Sequence, residues 1–194
     1  MAAQPCTYRY LFIANIQFYT MKKLIILAIA IVTLNTTVKA QHDHHTAQTS
    51  KDTIKTASVS ELLPIYYSIK DALVAGKAEV AATKAGEFVK AINGIDMKVL
   101  SEADHTTLMA VNEKLAFDAE HIAESKDLTH QRDHFKTFSD NFFTLAKAVK
   151  LSANPVYQQY CPMKKASWLS SEAAIKNPYY GSAMLTCGSV KATL

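Results

Sequence analysis

The sequence predicts an all-α domain, an antiparallel four-helix bundle followed by an irregular C-terminal lobe. Four consecutive stretches between residues 61 and 150 repeat apolar side chains at helical spacing, and short connections join them. At Asn154-Pro155 that periodicity stops and the composition changes. The helical domain with its lobe is expected over 61–194, behind a leader at 1–40 and a polar tail at 41–60.

The leader reads as an export signal over 21–40. Met21-Lys22-Lys23 is a positive start, and Leu24 to Leu34 is an apolar run of eleven residues interrupted only by Thr33. Such a run is too short for an easy membrane span. Val38-Lys39-Ala40 then offers a cleavage site that makes Gln41 the first residue of the mature chain. Residues 1–20 read as an upstream mis-start, or else as an apolar extension that keeps the leader in the membrane as an anchor. Cleavage removes Cys6 and leaves Cys161 and Cys187 as the thiols of a periplasmic protein in an oxidising compartment.

The leader also accounts for the charge. The formal net charge is +4, but Arg9, Lys22, Lys23 and Lys39 all fall in the first forty residues, which hold no acidic side chain; beyond them 17 basic groups face 17 acidic ones. A neutral domain lacks the clustered cationic surplus that nucleic-acid phosphates demand, so nucleic acid is excluded as a partner.

Residues 41–60 are too polar to order themselves. Their His42, His44 and His45 form either a solvated terminus or a loose imidazole cluster for metal ions. In the first helix Leu62, Ile65, Tyr66, Ile69 and Leu73 share a face behind a Ser60 cap, with Pro64 in the first turn and Gly76 at the end. The second uses Val80, Ala85, Phe88, Val89 and Ile92 and stops at Asn93-Gly94, a pair suited to a left-handed helix terminus. The third begins near Asp104 and uses Leu108, Val111, Leu115 and Ile122. The fourth begins around Asp127 to Thr129 and uses Phe135, Phe138, Phe142, Leu145 and Val149. Sustained heptads and a Gly-rich phosphate loop are both lacking, so coiled-coil and nucleotide-binding readings fall away.

The segment after Asn154-Pro155 holds the only Trp, four of the nine Tyr, and Cys161 and Cys187. Cys161-Pro162-Met163 and Met184-Leu185-Thr186-Cys187-Gly188 each set a thiolate donor beside a thioether. Soft sulfur ligands select soft ions such as copper in its +1 state, whereas zinc would prefer His or more Cys. Cys161, Met163, Met184 and Cys187 are therefore candidate metal ligands, with cuprous copper the expected ion and zinc or another heavy metal the alternative. Pro162 and Gly188 place both pairs on turns, and Asn177-Pro178-Tyr179-Tyr180-Gly181 is a turn signal that could fold them together. The same cysteines could instead form a structural disulfide, contributing roughly 3 kcal/mol.

Histidines add a second set of candidates. His130 and His134 are four apart and project from one face of the fourth helix, a spacing that suits two ligands on one ion. Exposed histidines adopt it by accident too. His105 reads as a surface residue, and Trp168, Tyr179 and Tyr180 read as packing for the lobe.

Several of these motifs, in a fixed order, resemble the signature of an uncharacterised exported domain family of Bacteroidota. They are Tyr157-Gln158-Gln159-Tyr160-Cys161-Pro162-Met163, Trp168-Leu169-Ser170, Asn177-Pro178-Tyr179-Tyr180-Gly181 and Met184-Leu185-Thr186-Cys187-Gly188, and the resemblance extends over about residues 62–190. In that family the domain occurs alone or joined to periplasmic adaptor subunits of CusB-type heavy-metal efflux pumps. The resemblance thus implies copper or other heavy-metal handling, with an efflux adaptor or another envelope protein as partner. His130-Gln131-Arg132-Asp133-His134-Phe135 is similar to the family's helical motif, and by that resemblance His134 and His121 belong near the site. Tyr160 departs from the pattern, standing where relatives often have a His before Cys-Pro-Met; if that His is a ligand, the site here is altered or weaker.

Catalysis finds little support. There is no nucleophile elbow, no His-Glu-x-x-His and no identifiable carboxylate pair. The expected function is a non-catalytic periplasmic copper or heavy-metal binding protein, a chaperone or sequestering protein, touching a membrane only through an uncleaved leader. The alternative is an envelope interaction domain clasped by a Cys161–Cys187 disulfide.

Overall fold

The computed structural model describes residues 58–194. The expected leader at 1–40 and most of the expected tail, including His42, His44 and His45, lie outside the described residues.

Four helices pack together: α1 (Leu62–Val74), α2 (Ala78–Asn93), α3 (Glu102–Glu124) and α4 (Leu128–Ala148). A 3-10 turn at Val59–Glu61 leads into α1, and the Ser60 hydroxyl, the expected cap, instead shares a hydrogen bond of 2.9 Å with Ser58. In α2 the buried face is Ala81, Ala85, Phe88 and Ile92. That series of four-three-four steps turns Val80 outward, 44% exposed, which corrects its expected place in the core. The helix does end at Asn93-Gly94, but without left-handed backbone: Gly94 has φ −89, and its N–H closes back on Lys90 and Ala91 at 3.0 and 3.2 Å.

The longer helices are capped by side chains. Ser101 accepts from the N–H of Asp104 at 3.1 Å to start α3, and Asp127 accepts from that of Thr129 at 2.9 Å to start α4. Their apolar faces are buried as the periodicity predicts, Leu108, Val111, Leu115 and Ile122 on α3 and Phe135, Phe138, Phe142 and Leu145 on α4. At the centre the Tyr66 ring stacks against Phe142, Phe135 and Phe138 at 4.5, 5.5 and 5.6 Å, and Phe88 meets Phe138 edge-on at 4.8 Å. These aromatic contacts close α1 and α2 onto α4. Among the described residues no helix is long and apolar enough to cross a membrane.

The C-terminal lobe is more regular than the sequence suggests. It is built on a three-stranded antiparallel sheet of β1 (Tyr157–Cys161), β2 (Ala166–Ser170) and β3 (Ser189–Thr193), in the order β2-β1-β3. Residues 171–188 form the connection between β2 and β3, with a 3-10 turn at Gly181–Met184. Buried Gln159 donates its side-chain amide to the carbonyls of Glu172, Ala173 and Ala174 at 2.8–3.2 Å, tying that connection to the sheet.

Three polar ties seat the lobe on the bundle. The Leu169 N–H donates to the Tyr66 hydroxyl at 3.0 Å, which also hydrogen-bonds the Ser139 hydroxyl at 2.8 Å. Arg132 donates to the carbonyls of Pro178 and Leu73 at 2.9 and 3.0 Å. Lys164, in the β1–β2 turn, pairs with Asp133 of α4 at 2.7 Å. Gly181 makes this seat possible: at φ +55, an added Cβ would lie 2.8 Å from the Arg132 guanidinium and 2.9 Å from the Val74 carbonyl.

Candidate metal centre

Where α3 packs against α4, three imidazoles converge. His130 and His134 stand one turn apart on α4, and His121 comes from the last turn of α3. One ring nitrogen from each can be chosen so that all three lie within 4.8 Å of one another. The rings of His121 and His134 stack at 4.4 Å with 5° between their planes, and His130 tilts against His134 at 4.7 Å. His130 is exposed and the other two are half-buried, so the cluster opens to the surface. Phe117, 55% exposed, stands beside it with its ring 4.4 Å from that of His121.

Asp118 orients His134. Its carboxylate is buried and lies 3.0 Å from Nδ1 of His134. With Nδ1–H donating to that carboxylate, Nε2 of His134 carries the free lone pair that a metal ion needs, the arrangement that commonly supports metal-bound histidines.

The run His130 to Phe135 shows why the imidazoles arrive together. Gln131 is fully buried and donates to the carbonyls of Ser125, Ala78 and Ile122 at 2.7, 2.9 and 3.1 Å, joining the end of α3 to the start of α2. Arg132 and Asp133 reach the lobe, as described above, and Phe135 enters the aromatic core. Each intervening side chain is committed elsewhere, which leaves His130 and His134 on the edge that faces His121.

His121 and His134 were expected near a metal site, and His130 had the right spacing. Asp118 was missed, because its partner lies on another helix and only tertiary packing reveals it. His105 is exposed, as expected.

The sulfur residues form a separate group, and no cysteine belongs to the histidine cluster. Cys161, at the end of β1, and Cys187, just before β3, are free thiols whose sulfurs lie 3.8 Å apart. Cys161 is buried and Cys187 half-buried, while Met163 and Met184 lie at the surface, 63% and 40% exposed. Burial works to raise the Cys161 pKa, but hydrogen bonds from the Lys164 N–H, the Asn177 amide, the Cys187 thiol and the Met163 N–H outweigh it and hold it below the usual thiol value. Cys187 is pushed the other way, by desolvation and by the neighbouring Cys161 sulfur that takes its hydrogen bond.

The loop carrying Cys187 is held from both sides. Buried Asn177 donates its side-chain amide to the Cys187 carbonyl at 2.8 Å and accepts from the Tyr179 N–H at 2.9 Å. Gly188, at φ +154, leaves no room for a side chain: a Cβ would meet the Trp168 ring at 2.9 Å and the Tyr160 carbonyl at 3.0 Å. Trp168 and Tyr179 are buried, as their expected packing role requires.

No curated protein and no solved structure matches the chain. Residues 62–154, which hold the four helices and all three clustered histidines but neither cysteine motif, match the model of a family described as a protein of unknown function (DUF3347).

Proposed function

We propose that the chain is an exported heavy-metal-binding protein that holds an ion on His121, His130 and His134. It acts without catalysis, sequestering the ion or passing it by ligand exchange to an envelope partner such as an efflux adaptor. The observation that carries this reading is the mutual approach of the three imidazole nitrogens, within 4.8 Å, with His134 pinned by buried Asp118. Imidazole nitrogens suit copper and zinc alike, and at equal geometry copper binds the more tightly. Resemblance to domains joined to efflux adaptors also favours copper. The leader at 1–40 supports a periplasmic location.

Ligand exchange follows from the uneven burial of the three groups. His130 is exposed and is the first to let go, while Asp118 keeps His134 in place to receive the next ion. Calorimetric titration of the purified protein with cupric and zinc ions tests the reading. One ion per chain is expected, and binding should be lost in His121→Ala and in His134→Ala. Equal binding in wild type and both variants would sink the proposal.

A second reading is favoured by the 3.8 Å approach of the two free thiols. In an envelope interaction domain that binds no metal, a Cys161–Cys187 disulfide would simply clasp the lobe. Failure of the titration, together with a disulfide in the native protein, would support it.

A further inference from the structure

We infer that Cys161 and Cys187 form a second site, separate from the histidine cluster, for a soft monovalent cation of the cuprous class, with a thioether from Met184 or Met163 completing its ligands. This inference goes beyond the histidine reading and does not depend on it.

The geometry of the sulfur pair carries the argument. Two thiolates on one ion, with metal–sulfur bonds of about 2.3 Å and tetrahedral to trigonal angles, are separated by about 3.8–4.0 Å. The sulfurs of Cys161 and Cys187 stand 3.8 Å apart with both thiols free. A disulfide needs about 2.05 Å and would require the strand end and the loop to shift their side chains toward each other. Their separation as they stand is the one that two thiolates on a shared ion span. The same separation is too short for two thiolates on opposite sides of an ion, so a further ligand is required.

The surroundings choose the ion. Among the described residues no imidazole or carboxylate joins the two thiols in a cluster of metal-ligating groups. The additional donors on the same turns are thioethers: Met163 lies two residues after Cys161, and the Met184 carbonyl accepts the Cys187 N–H at 3.1 Å. Thiolate and thioether together are a soft set that prefers cuprous or silver ions to zinc. The site is also built in advance. Cys161 is buried with the Lys164 N–H directed at its sulfur at 3.5 Å, Asn177 and Gly188 fix the opposite loop, and half-buried Cys187 leaves a way in. Loading turns both thiols into thiolates on the ion and releases their two protons to solvent, as metal binding to cysteine does generally.

Anaerobic titration of the reduced full chain with cuprous ions, and in parallel with silver ions, tests this under a competing chelator while ultraviolet thiolate-to-metal absorption is followed. One soft ion per chain should bind with that absorption in the wild type. It should bind equally in the variant carrying His121→Ala, His130→Ala and His134→Ala together. Both signals should disappear in Cys187→Ser, a half-buried position where circular dichroism can verify folding, and in Cys161→Ser. Met184→Leu with Met163→Leu should weaken binding and keep the absorption. Binding without thiolate absorption, or binding lost only in the histidine variant, would overturn the proposal, as would failure of the reduced wild type to bind either ion. Because the histidine site is read with divalent ions and its own variants, the two proposals stand or fall separately.

Discussion

Asp118 and His134 show how much a single buried hydrogen bond can decide. A carboxylate behind a ligating imidazole fixes both the tautomer and the angle of the ring, and losing such a partner typically costs ten- to a hundredfold in metal affinity. Asp118→Asn is therefore expected to weaken cupric and zinc binding by about ten- to a hundredfold while helical circular dichroism stays unchanged, as competition titration would measure. The sign of the pH effect follows from the same chemistry. Protons and metal ions compete for imidazole nitrogen, so a loaded protein should release its ion as the solution is acidified. The His130–His134 pair was legible from its four-residue spacing, because one helix fixes it. Asp118 was not legible: its hydrogen bond spans α3 and α4, and no local pattern encodes that crossing.

Among the elements, α4 is the organiser. One edge presents two imidazoles, another carries the aromatic core, and Arg132 and Asp133 grip the lobe. Arg132→Leu would leave the Pro178 carbonyl without the Arg132 donor and the Leu73 carbonyl with the Gly76 N–H at 3.3 Å, and is expected to destabilise the seat of the lobe by about 1–3 kcal/mol. Hydrogen exchange should then quicken at the amides of β1 and β2 more than in α2 and α3. The helices are readable because their apolar residues recur at helical spacing; at the start of α2 two adjacent apolar positions compete, and Ala81 rather than Val80 takes the buried one. The strands were not. Tyr157-Gln158-Gln159-Tyr160-Cys161 lacks apolar alternation, and the side-chain amide N–H groups of its buried Gln159 are taken by carbonyls from residues 172–174 that only the folded connection supplies.

At the scale of the molecule, the buried phenols of Tyr66 and Tyr179 lie where bundle meets lobe, with half-buried Tyr67 beside Tyr66. Burial raises Tyr66 and Tyr179 above the ordinary phenol range and pushes Tyr67 up to about 12. A folded state that holds these protons more tightly than the unfolded chain keeps its full advantage below a pH of about 10 and loses it as pH rises toward 12. Alkaline titration should therefore show tyrosinate absorbance and loss of helical circular dichroism rising together across that interval, whereas independent ionisation of the phenols with the helices intact would contradict it.

The tie between Tyr66 and Leu169 joins positions 103 residues apart, whereas each helix packs against its neighbour in sequence. Local pairings form fastest and distant ones wait for chain closure, so the helices should assemble first and the sheet should settle onto them afterwards. Trp168 is the only tryptophan and is buried in the sheet, which makes its fluorescence a clock for the second event. In refolding, that signal should lag behind helical circular dichroism. Until the lag ends Cys161 and Cys187 have no fixed neighbour, and the folding chain passes through an interval in which an oxidant or a metal ion can reach either thiol alone.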